Sequence, residues 1–311
     1  MGALRLIASR LGMALLTMWL LSSAVFLALR LLPGDPAALV LGDLAEERER
    51  AALRAKLHLD RPLPRQYAIF VRGMVTGDLG PSLRQPGIGA FTRVRNALPP
   101  TARLAGAAVG LGALGGVGAA LLSVGPWLRR GRRWVELAGI ALGATPLLAL
   151  APVATYLLAV RLRLVPLPGD PSAGAGGLLF ASGLLALPLG AHVARIGRAA
   201  LLELGKAPFL SVARAKGASQ ARVWILHALP AASAPVVAVV ATQLGALLGG
   251  AVVLERLFER PGLGTLILEA YASRDLPVLE AAVIASGVLF VATQTTAAAV
   301  HALIDPRARS S

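Results

Sequence analysis

Residues 206–230 read KAPFLSVARAKGASQARVWILHALP and separate two strongly apolar segments. The stretch carries Lys206, Arg214, Lys216 and Arg222 and contains no acidic residue. Lys and Arg are enriched in the short cytoplasmic loops of membrane proteins. The sequence therefore predicts that residues 206–230 form a cytoplasmic segment between two transmembrane helices.

The middle of this basic segment predicts a short helix from Ser211 to Ser219. Gly217 then permits a helix end or a close approach of the backbone to a partner. Apolar residues lead back towards the membrane, and Pro230 suits the first turn of the next helix. We therefore expect a compact helix below the bilayer, where another protein can exert force.

The composition predicts an all-α, polytopic membrane protein. Of the 311 residues, 56% are hydrophobic and 15% are charged, whereas soluble domains are about 25% charged. The mean hydropathy is +0.69. The net charge of +15 is distributed over loops, so no nucleic-acid partner is expected. The absence of cysteine excludes disulfides and thiolate metal sites.

Six apolar stretches have about the length needed to cross 30 Å of hydrocarbon. The predicted spans are Leu11–Leu32, Ala102–Val124, Leu137–Val160, Leu178–Ala194, Ala231–Leu254 and Leu279–Leu303. Pro146 and Pro152 predict a kink in the third span. The many Gly and Ala residues of the second span predict close helix packing.

Arginines set the expected orientation. Arg5 and Arg10 precede the first span, which lacks an A-x-A-like cleavage site and is expected to be retained. The loop after span two contains Arg129, Arg130, Arg132 and Arg133. Both features predict cytoplasmic placement, and six spans then put both termini in the cytoplasm.

These expectations divide the chain into three segments. Residues 1–32 form the N-terminal tail and first span, and residues 33–100 form an extracytoplasmic segment. Residues 101–311 form a core of five spans that includes a cytoplasmic coupling loop, 195–230. Within the outer segment, residues 43–59 have acids early and bases late, which predicts a solvated surface helix.

No enzyme or metal site is expected. The four histidines form no H-E-x-x-H pair, and no G-x-x-x-x-G-K-[ST] phosphate loop occurs. His301 and Asp305 are spaced for a metal, but a histidine bonded at the interface is the simpler interpretation. Ser286 precedes Gly287 without the rest of a nucleophile motif, which favours a packing role.

An ion-coupled carrier is the first alternative function. Such carriers keep ionisable groups at membrane depth, whereas Glu136, Glu280 and His192 lie near the ends of the predicted spans. A non-transporting membrane scaffold is the second alternative. If the protein moves solute uphill, the energy must therefore come from another subunit.

Polar residues inside the spans are candidates for lining a transport path. They can equally form hydrogen bonds between helices, so both roles remain open. The candidate pore-lining residues are Thr145, Tyr156, Thr242, Gln243, Ser286 and Gln294.

Nine short motifs along the chain carry a family resemblance. They are LLPGDP (31–36), DRPLPRQY (60–67), GDLGPS (77–82), ARAKGAS (213–219), HAL (227–229), QLGALLGGAVVLE (243–255), FERPGLG (258–264), RDLPV (274–278) and DPR (305–307). In this order the chain resembles the membrane subunit of a bacterial ATP-binding-cassette importer, in the dipeptide/oligopeptide/nickel permease group. The resemblance implies the type I importer permease fold.

The resemblance also implies a role for the opening stretch. Subunits of this kind share a cytoplasmic motif, E-A-A-x3-G-x9-I-x-L-P, that docks into an ATPase subunit. The residues implied in ATPase coupling are Ser211, Val212, Ala213, Arg214, Ala215, Lys216, Gly217, Ala218, Ser219, Arg222, His227, Leu229 and Pro230. Ser211, Val212 and His227 depart from the motif, and the missing glutamate leaves any particular salt bridge to the ATPase without support.

The resemblance further implies the partners. They are a second, paralogous permease subunit, two ATP-binding subunits that hold ATP and Mg²⁺, and an extracytoplasmic substrate-binding protein. No cofactor is expected in this chain itself. Peptides are the expected cargo, with nickel chelates or haem as alternatives. Membrane lipid is expected around the spans, and binding to lipid head groups is the alternative role for the basic segment.

Overall fold

A computed structural model describes residues 2–31, 36–42, 45–125, 127 and 131–304. Most of the LLPGDP motif, Arg129, Arg130 and the DPR motif lie outside the described residues. The same is true of Asp305, so the His301–Asp305 pair is also outside them. The orientation of the two termini stays a prediction.

Most of the described residues are helical, and they contain no β-strand beyond an isolated bridge between Pro81 and Gly89. The α-helices are α1 (Gly2–Leu31), α2 (Pro36–Leu41), α3 (Glu47–Lys56), α4 (Leu63–Thr76), α5 (Ala90–Val124), α6 (Arg132–Ala144), α7 (Leu147–Thr155), α8 (Gly174–Leu204), α9 (Pro208–Ala215), α10 (Gln220–Arg222), α11 (Leu229–Ala231), α12 (Ser233–Leu257), α13 (Leu263–Ala272) and α14 (Leu276–Ile304). Two π-helical turns, Tyr156–Arg161 and Val223–Ala228, follow α7 and α10. The predicted all-α class is confirmed.

Five helices in the described residues are long and apolar enough to cross a membrane. They are Gly12–Leu31, Ala90–Val124, Gly174–Leu204, Ser233–Leu257 and Leu276–Ala297. They correspond to predicted spans one, two, four, five and six. A sixth span exists only if the bent pair Arg132–Ala144 and Leu147–Arg161 counts as one.

The kink predicted within Leu137–Val160 is present and is sharp enough to divide this region into two helices. The two helices of this region meet at 113°, which is a broken span or a re-entrant loop. The break falls at Thr145, whose backbone is extended at φ −83° and ψ 125°. Pro146 explains this, because a proline disfavours the helical conformation of the residue before it. Pro152 lies inside α7.

The second span begins earlier than predicted. The outer segment was expected to continue to about residue 100, but α5 starts at Ala90 and runs through Pro99 and Pro100. Proline inside a helix costs about 3 kcal/mol. Ala90 and Val94 are completely buried, in a cluster with residues of α13 and α14, and this packing holds the first turns of α5 in place.

The fourth span is longer than predicted and passes through Pro188. It continues to Leu204, so Arg195 and Arg198 lie on a helix and not in a loop. Gly197 and Leu201 explain the extension, because both are buried on the face of α8 that packs into the protein. The coupling loop predicted over 195–230 therefore has α8 as its first part.

The chain forms two compact units. The first unit comprises Met1–Thr101 and Pro261–Val291, and the second comprises Ala102–Arg260 and Ala292–Ser311. The segments 1–32, 33–100 and 101–311 were predicted from membrane topology, whereas the two units are defined by compactness, so the units do not test them. Those segments stay predictions.

Helix α3 in the first unit confirms the predicted surface helix. It has Glu47 and Glu49 in its first turn, Arg54 and Lys56 in its last turn, and no buried residue. This order of charges complements the helix dipole. Arg54 also reaches back to Glu47, with its Nη1 2.6 Å from Oε1.

Helices α5 and α8 of the second unit approach each other closely at glycines. A methyl group added at Gly116 would lie 2.6 Å from the Gly190 carbonyl oxygen and 2.6 Å from Val193 Cβ. One added at Gly112 would lie 2.8 Å from Leu189 Cδ2. The adjacent Gly115 has no such neighbour within 4 Å. The close packing predicted for this span therefore holds on one face of α5.

We expect Gly116→Leu to destabilise the second unit by about 1–3 kcal/mol or more, the usual cost of overpacking. Gly115→Leu is the matched control, because its side chain meets open space. The measurement is the thermal midpoint of the detergent-purified chain by fluorescence-detected gel filtration. Equal midpoints for the two variants would contradict the close α5–α8 packing.

Candidate functional site

The basic segment contains a helix that starts earlier than predicted. Helix α9 runs from Pro208 to Ala215, whereas the sequence predicted Ser211 to Ser219. Pro208 is in the first turn, where its missing N–H costs nothing. The helix also ends earlier than predicted, at Ala215, because Gly217 adopts a left-handed conformation with a φ of +81°.

Gly217 ends α9 in a Schellman motif. The Ala218 N–H donates to the Ala213 carbonyl at 3.1 Å, and the Gly217 N–H donates to the Arg214 carbonyl at 2.9 Å. These are the two bonds of that motif, which requires a left-handed residue where Gly217 stands. The predicted role of Gly217 as a helix end is confirmed in the structure, and the residue has no neighbour within 4 Å of its missing side chain.

A second helical stretch follows the turn at once. The Ser219 hydroxyl accepts the Arg222 N–H at 3.4 Å and caps α10. The π-helical turn Val223–Ala228 and α11 continue the stretch. Pro230 was expected in the first turn of span five. It lies in α11 instead, and α12 begins at Ser233 after a break at Ala232.

One side of this arrangement is firmly anchored. Leu210 of α9 is fully buried, as are Val223 and Ala228 of the π turn, and Trp224 is nearly so. They form one cluster with Leu201 of α8 and with Ala120 and Val124 of α5. We call residues 208–231 the coupling segment. It is held against the ends of two long helices of the second unit.

The other side of the coupling segment is exposed. Most predicted coupling residues lie there, namely Ser211, Val212, Arg214, Ala215, Lys216, Gly217, Ser219, Arg222, His227 and Pro230. The remaining three, Ala213, Ala218 and Leu229, are half-buried. The structure therefore brings the predicted set together in one segment.

Sequence analysis missed three residues of this exposed surface. Phe209, Ile225 and Leu226 are large apolar side chains that are 45%, 46% and 60% exposed, and Val212 is 52% exposed. Leu226 and Ile225 follow buried Val223 and Trp224. The apolar run 223–226 gave no signal of which residues face outwards, because a π turn changes the helical period.

The candidate pore-lining residues are divided between the two units. Ser286 lies in the first unit, whereas Thr145, Tyr156, Thr242, Gln243 and Gln294 lie in the second. The hydroxyls of Thr145, Thr242 and Ser286 donate within their own helices, to Ala141, Val239 and Ala282 at 2.7, 2.9 and 2.9 Å. Among the residues that the structure describes, these three hydroxyls therefore have local partners and not the bonds between helices that were the alternative to a pore role. Their pore role stays a prediction.

A buried aspartate connects two of the sequence motifs in the first unit. Asp275 of RDLPV is 0% exposed and accepts hydrogen bonds from the Ser82 hydroxyl and from the Leu83 N–H, the latter at 3.1 Å. Arg93 adds a cation, with its Nη1 3.9 Å from Asp275 Oδ2. The loop that contains GDLGPS is thus fixed to the residue that precedes α14.

A second polar contact in the first unit connects α1 with α14. Arg30 Nη1 lies 2.5 Å from Glu280 Oε1, and Arg30 Nε donates to Gln66 Oε1 at 3.0 Å. The Arg30 guanidinium also lies 3.7 Å from the centre of the Phe26 ring. Gln66 belongs to the DRPLPRQY motif. Sequence analysis placed Glu280 at a span end but gave no signal for its partner.

Comparisons with known proteins now add the family. Residues 112–310 match the binding-protein-dependent transport system inner membrane component family. Residues 3–90 match the N-terminal model of binding-protein-dependent transport system membrane components. Together the two models cover most of the chain.

Several relatives are similar over nearly their whole length. A Brucella abortus protein named as a peptide transport system permease is 33% identical, over 98% of each chain. A Sinorhizobium fredii protein named as a peptide ABC transporter permease is 31% identical, over 92% of this chain and 93% of the relative. The glutathione transport system permease protein GsiC of Escherichia coli is 30% identical, over 94% and 95%.

One solved structure shares the fold. The crystal structure of an amino acid ABC transporter with histidines superimposes with a TM-score of 0.50, over 69% of this chain and 94% of that one, at 18% identity. The family, its apolar helices and its relatives rule against the ion-coupled carrier and the scaffold. The chain belongs to the binding-protein-dependent transport system inner membrane component family, and it is a multi-pass permease of an ABC importer in the bacterial inner membrane.

Proposed function

We propose that the chain forms half of the translocation pore of a peptide importer and is driven by ATPase subunits that bind its coupling segment. The observation that carries this proposal is the two-sided character of residues 208–231. Leu210, Val223 and Trp224 fix one side against α5 and α8, while Val212 and Leu226 present apolar side chains outwards. Exposed apolar groups on a rigidly held segment are typical of a protein interface.

The charge of the surface defines the expected partner. Arg214, Lys216 and Arg222 are exposed around the apolar side chains, and the segment contains no acidic residue. A complementary groove on the ATPase therefore has an apolar floor and an acidic rim. Ser211 stands where the related motif has glutamate, so this subunit contributes no carboxylate to the contact.

Helical continuity gives a route for force. From Gln220 to Leu257 the backbone is helical except for the break at Ala232. A displacement of the coupling segment by the ATPase is therefore passed along the chain into α12, one of the membrane spans. Such a contact needs to transmit about 1–3 kcal/mol, the usual size of a coupling free energy.

The remaining partners follow from the proposed assembly. ATP and Mg²⁺ bind to the ATPase subunits, a paralogous permease completes the pore, and an extracytoplasmic binding protein delivers the cargo. Relatives named for peptide and glutathione transport support a peptide cargo over nickel chelates or haem. Thr145, Tyr156, Thr242, Gln243, Ser286 and Gln294 are proposed to line the path.

The test of the docking surface is Val212→Glu. It puts an acid into the exposed apolar surface, and we expect retention of the ATPase by the tagged permease to fall at least about tenfold, because moving a carboxylate out of water into an apolar contact costs more than about 1.4 kcal/mol. Val75→Glu is the matched control, since Val75 of α4 is 77% exposed in the first unit. Equal ATPase retention by the two variants, measured by co-purification, would contradict the proposal.

A further inference from the structure

A cavity of about 370 Å³ lies in the second unit, lined by residues of α5, α6 and α8. It is separate from the coupling segment, and none of the candidate pore residues lines it. Its walls have two different characters, one charged and one apolar.

The charged end of the cavity lies where the three helices have their nearby termini. Ser123 is one residue from the end of α5, Glu136 lies in the first two turns of α6, and Arg195 and Arg198 lie in the last third of α8. Arg198 Nη2 is 2.7 Å from Glu136 Oε1. Arg195 is exposed and adds a second guanidinium.

The Arg198 side chain is not fully satisfied by the protein. Its Nε is buried from solvent and has no hydrogen-bond partner among the described residues. A buried donor without an acceptor costs about 1–3 kcal/mol. The two arginines and one glutamate leave this end of the cavity with a net positive charge, so an anionic acceptor is the matching ligand.

The apolar end lies deeper along the helices. Gly139, Ile140 and Gly143 of α6 and Ala191 of α8 form its wall. Gly143 is about 10 Å further along α6 than Glu136, at 1.5 Å per residue. A methyl group at Gly139 would have no neighbour within 4 Å. Small side chains thus keep a slot open below the charged end.

The start of α6 has the features of a membrane–water boundary. Trp134 is 74% exposed beside Arg132 and Arg133, and Trp is enriched at that boundary. We propose that the cavity binds one anionic phospholipid, with its phosphate on Arg195 and Arg198 and an acyl chain against Gly139 and Gly143. A basic pocket between spans near the headgroup level suits such a lipid.

Native mass spectrometry of the delipidated full-length chain tests this site. The probes are dioleoylphosphatidylglycerol and dioleoylphosphatidylcholine, which share their acyl chains and differ in net charge. We expect the anionic lipid to bind at least about fivefold more tightly. Arg195→Gln, which leaves the Arg198–Glu136 pair intact, should weaken it about fivefold, and the double variant with Arg198→Gln about 25-fold, at ~1 kcal/mol for each arginine.

Three further arms distinguish a bound phospholipid from general charge attraction and from free phosphate. Arg65→Gln, an exposed arginine in the first unit, should leave lipid binding unchanged. Gly139→Phe puts a ring into the slot from a Cβ position that has no neighbour within 4 Å, and it should weaken both lipids. Inorganic phosphate at millimolar concentration should not displace phosphatidylglycerol. Equal binding of the two lipids, or phosphate displacement with an inert Gly139→Phe, would overturn the proposal.

Discussion

Gly217→Val is expected to abolish stable ATPase binding while the chain still inserts and folds. Gly217 has a φ of +81° and closes the Schellman motif at the end of α9. A β-branched residue held in the left-handed region costs about 1–3 kcal/mol. The turn would open to relieve that strain, and the exposed residues of α9 would then lose their position relative to those of the π turn.

The structure separates this backbone effect from a steric one. Nothing in the chain itself lies within 4 Å of a Cβ added at Gly217, so a substitution there causes no clash within the permease. Gly217→Asn is therefore the matched control, because Asn tolerates the left-handed region. We expect co-purification of the ATPase to fall at least about tenfold for valine, a change of 1.4 kcal/mol, and much less for asparagine. Similar losses for both variants would contradict the role of the turn.

Asp275→Ala is expected to cause the largest loss of stability in the first unit. The side chain is fully buried, accepts from Ser82 and Leu83, and lies near the Arg93 guanidinium. Alanine leaves these donors without their acceptor. Removing one partner of a buried, charged hydrogen-bonded group costs about 3–5 kcal/mol.

Asp170→Ala provides the comparison for Asp275. Asp170 also accepts a backbone N–H, that of Ser172 at 2.8 Å, and the hydrogen bonds from the Ser172 hydroxyl and N–H hold the pKa of Asp170 below its usual range. Asp170 is exposed, however, and water can replace it as the acceptor. Hydrogen exchange should show faster exchange at Leu83 in the Asp275 variant only. Unchanged protection at Leu83 would show that the loop containing GDLGPS is held by other contacts.

The sequence predicted those parts of the fold that depend on local composition. Apolar length located five spans, opposite charges located α3, and Gly217 indicated a possible helix end close to the observed end of α9. Each of these follows from neighbouring residues alone. The start of α5 at Ala90 did not, because Ala90 and Val94 pack against helices that are distant in the sequence.

The parts of the site that were missed depend on contacts between distant residues. Nothing in RDLPV indicates that Asp275 accepts from Ser82, nearly two hundred residues earlier, and nothing near Arg30 indicates Glu280. Similarly, Leu226 is exposed because it lies in a π turn, and the apolar sequence around it gave no indication of that turn.

The glycine contacts between α5 and α8 limit how the second unit can move. At Gly112 and Gly116 the main chain of α5 lies directly against the Leu189 and Val193 side chains and the Ala186 and Gly190 carbonyls of α8. A sliding motion would drive Val193 or Leu189 into the opposite backbone. We therefore expect the two helices to move together as one rigid body, with the access change of a transport cycle occurring where other helices meet this pair.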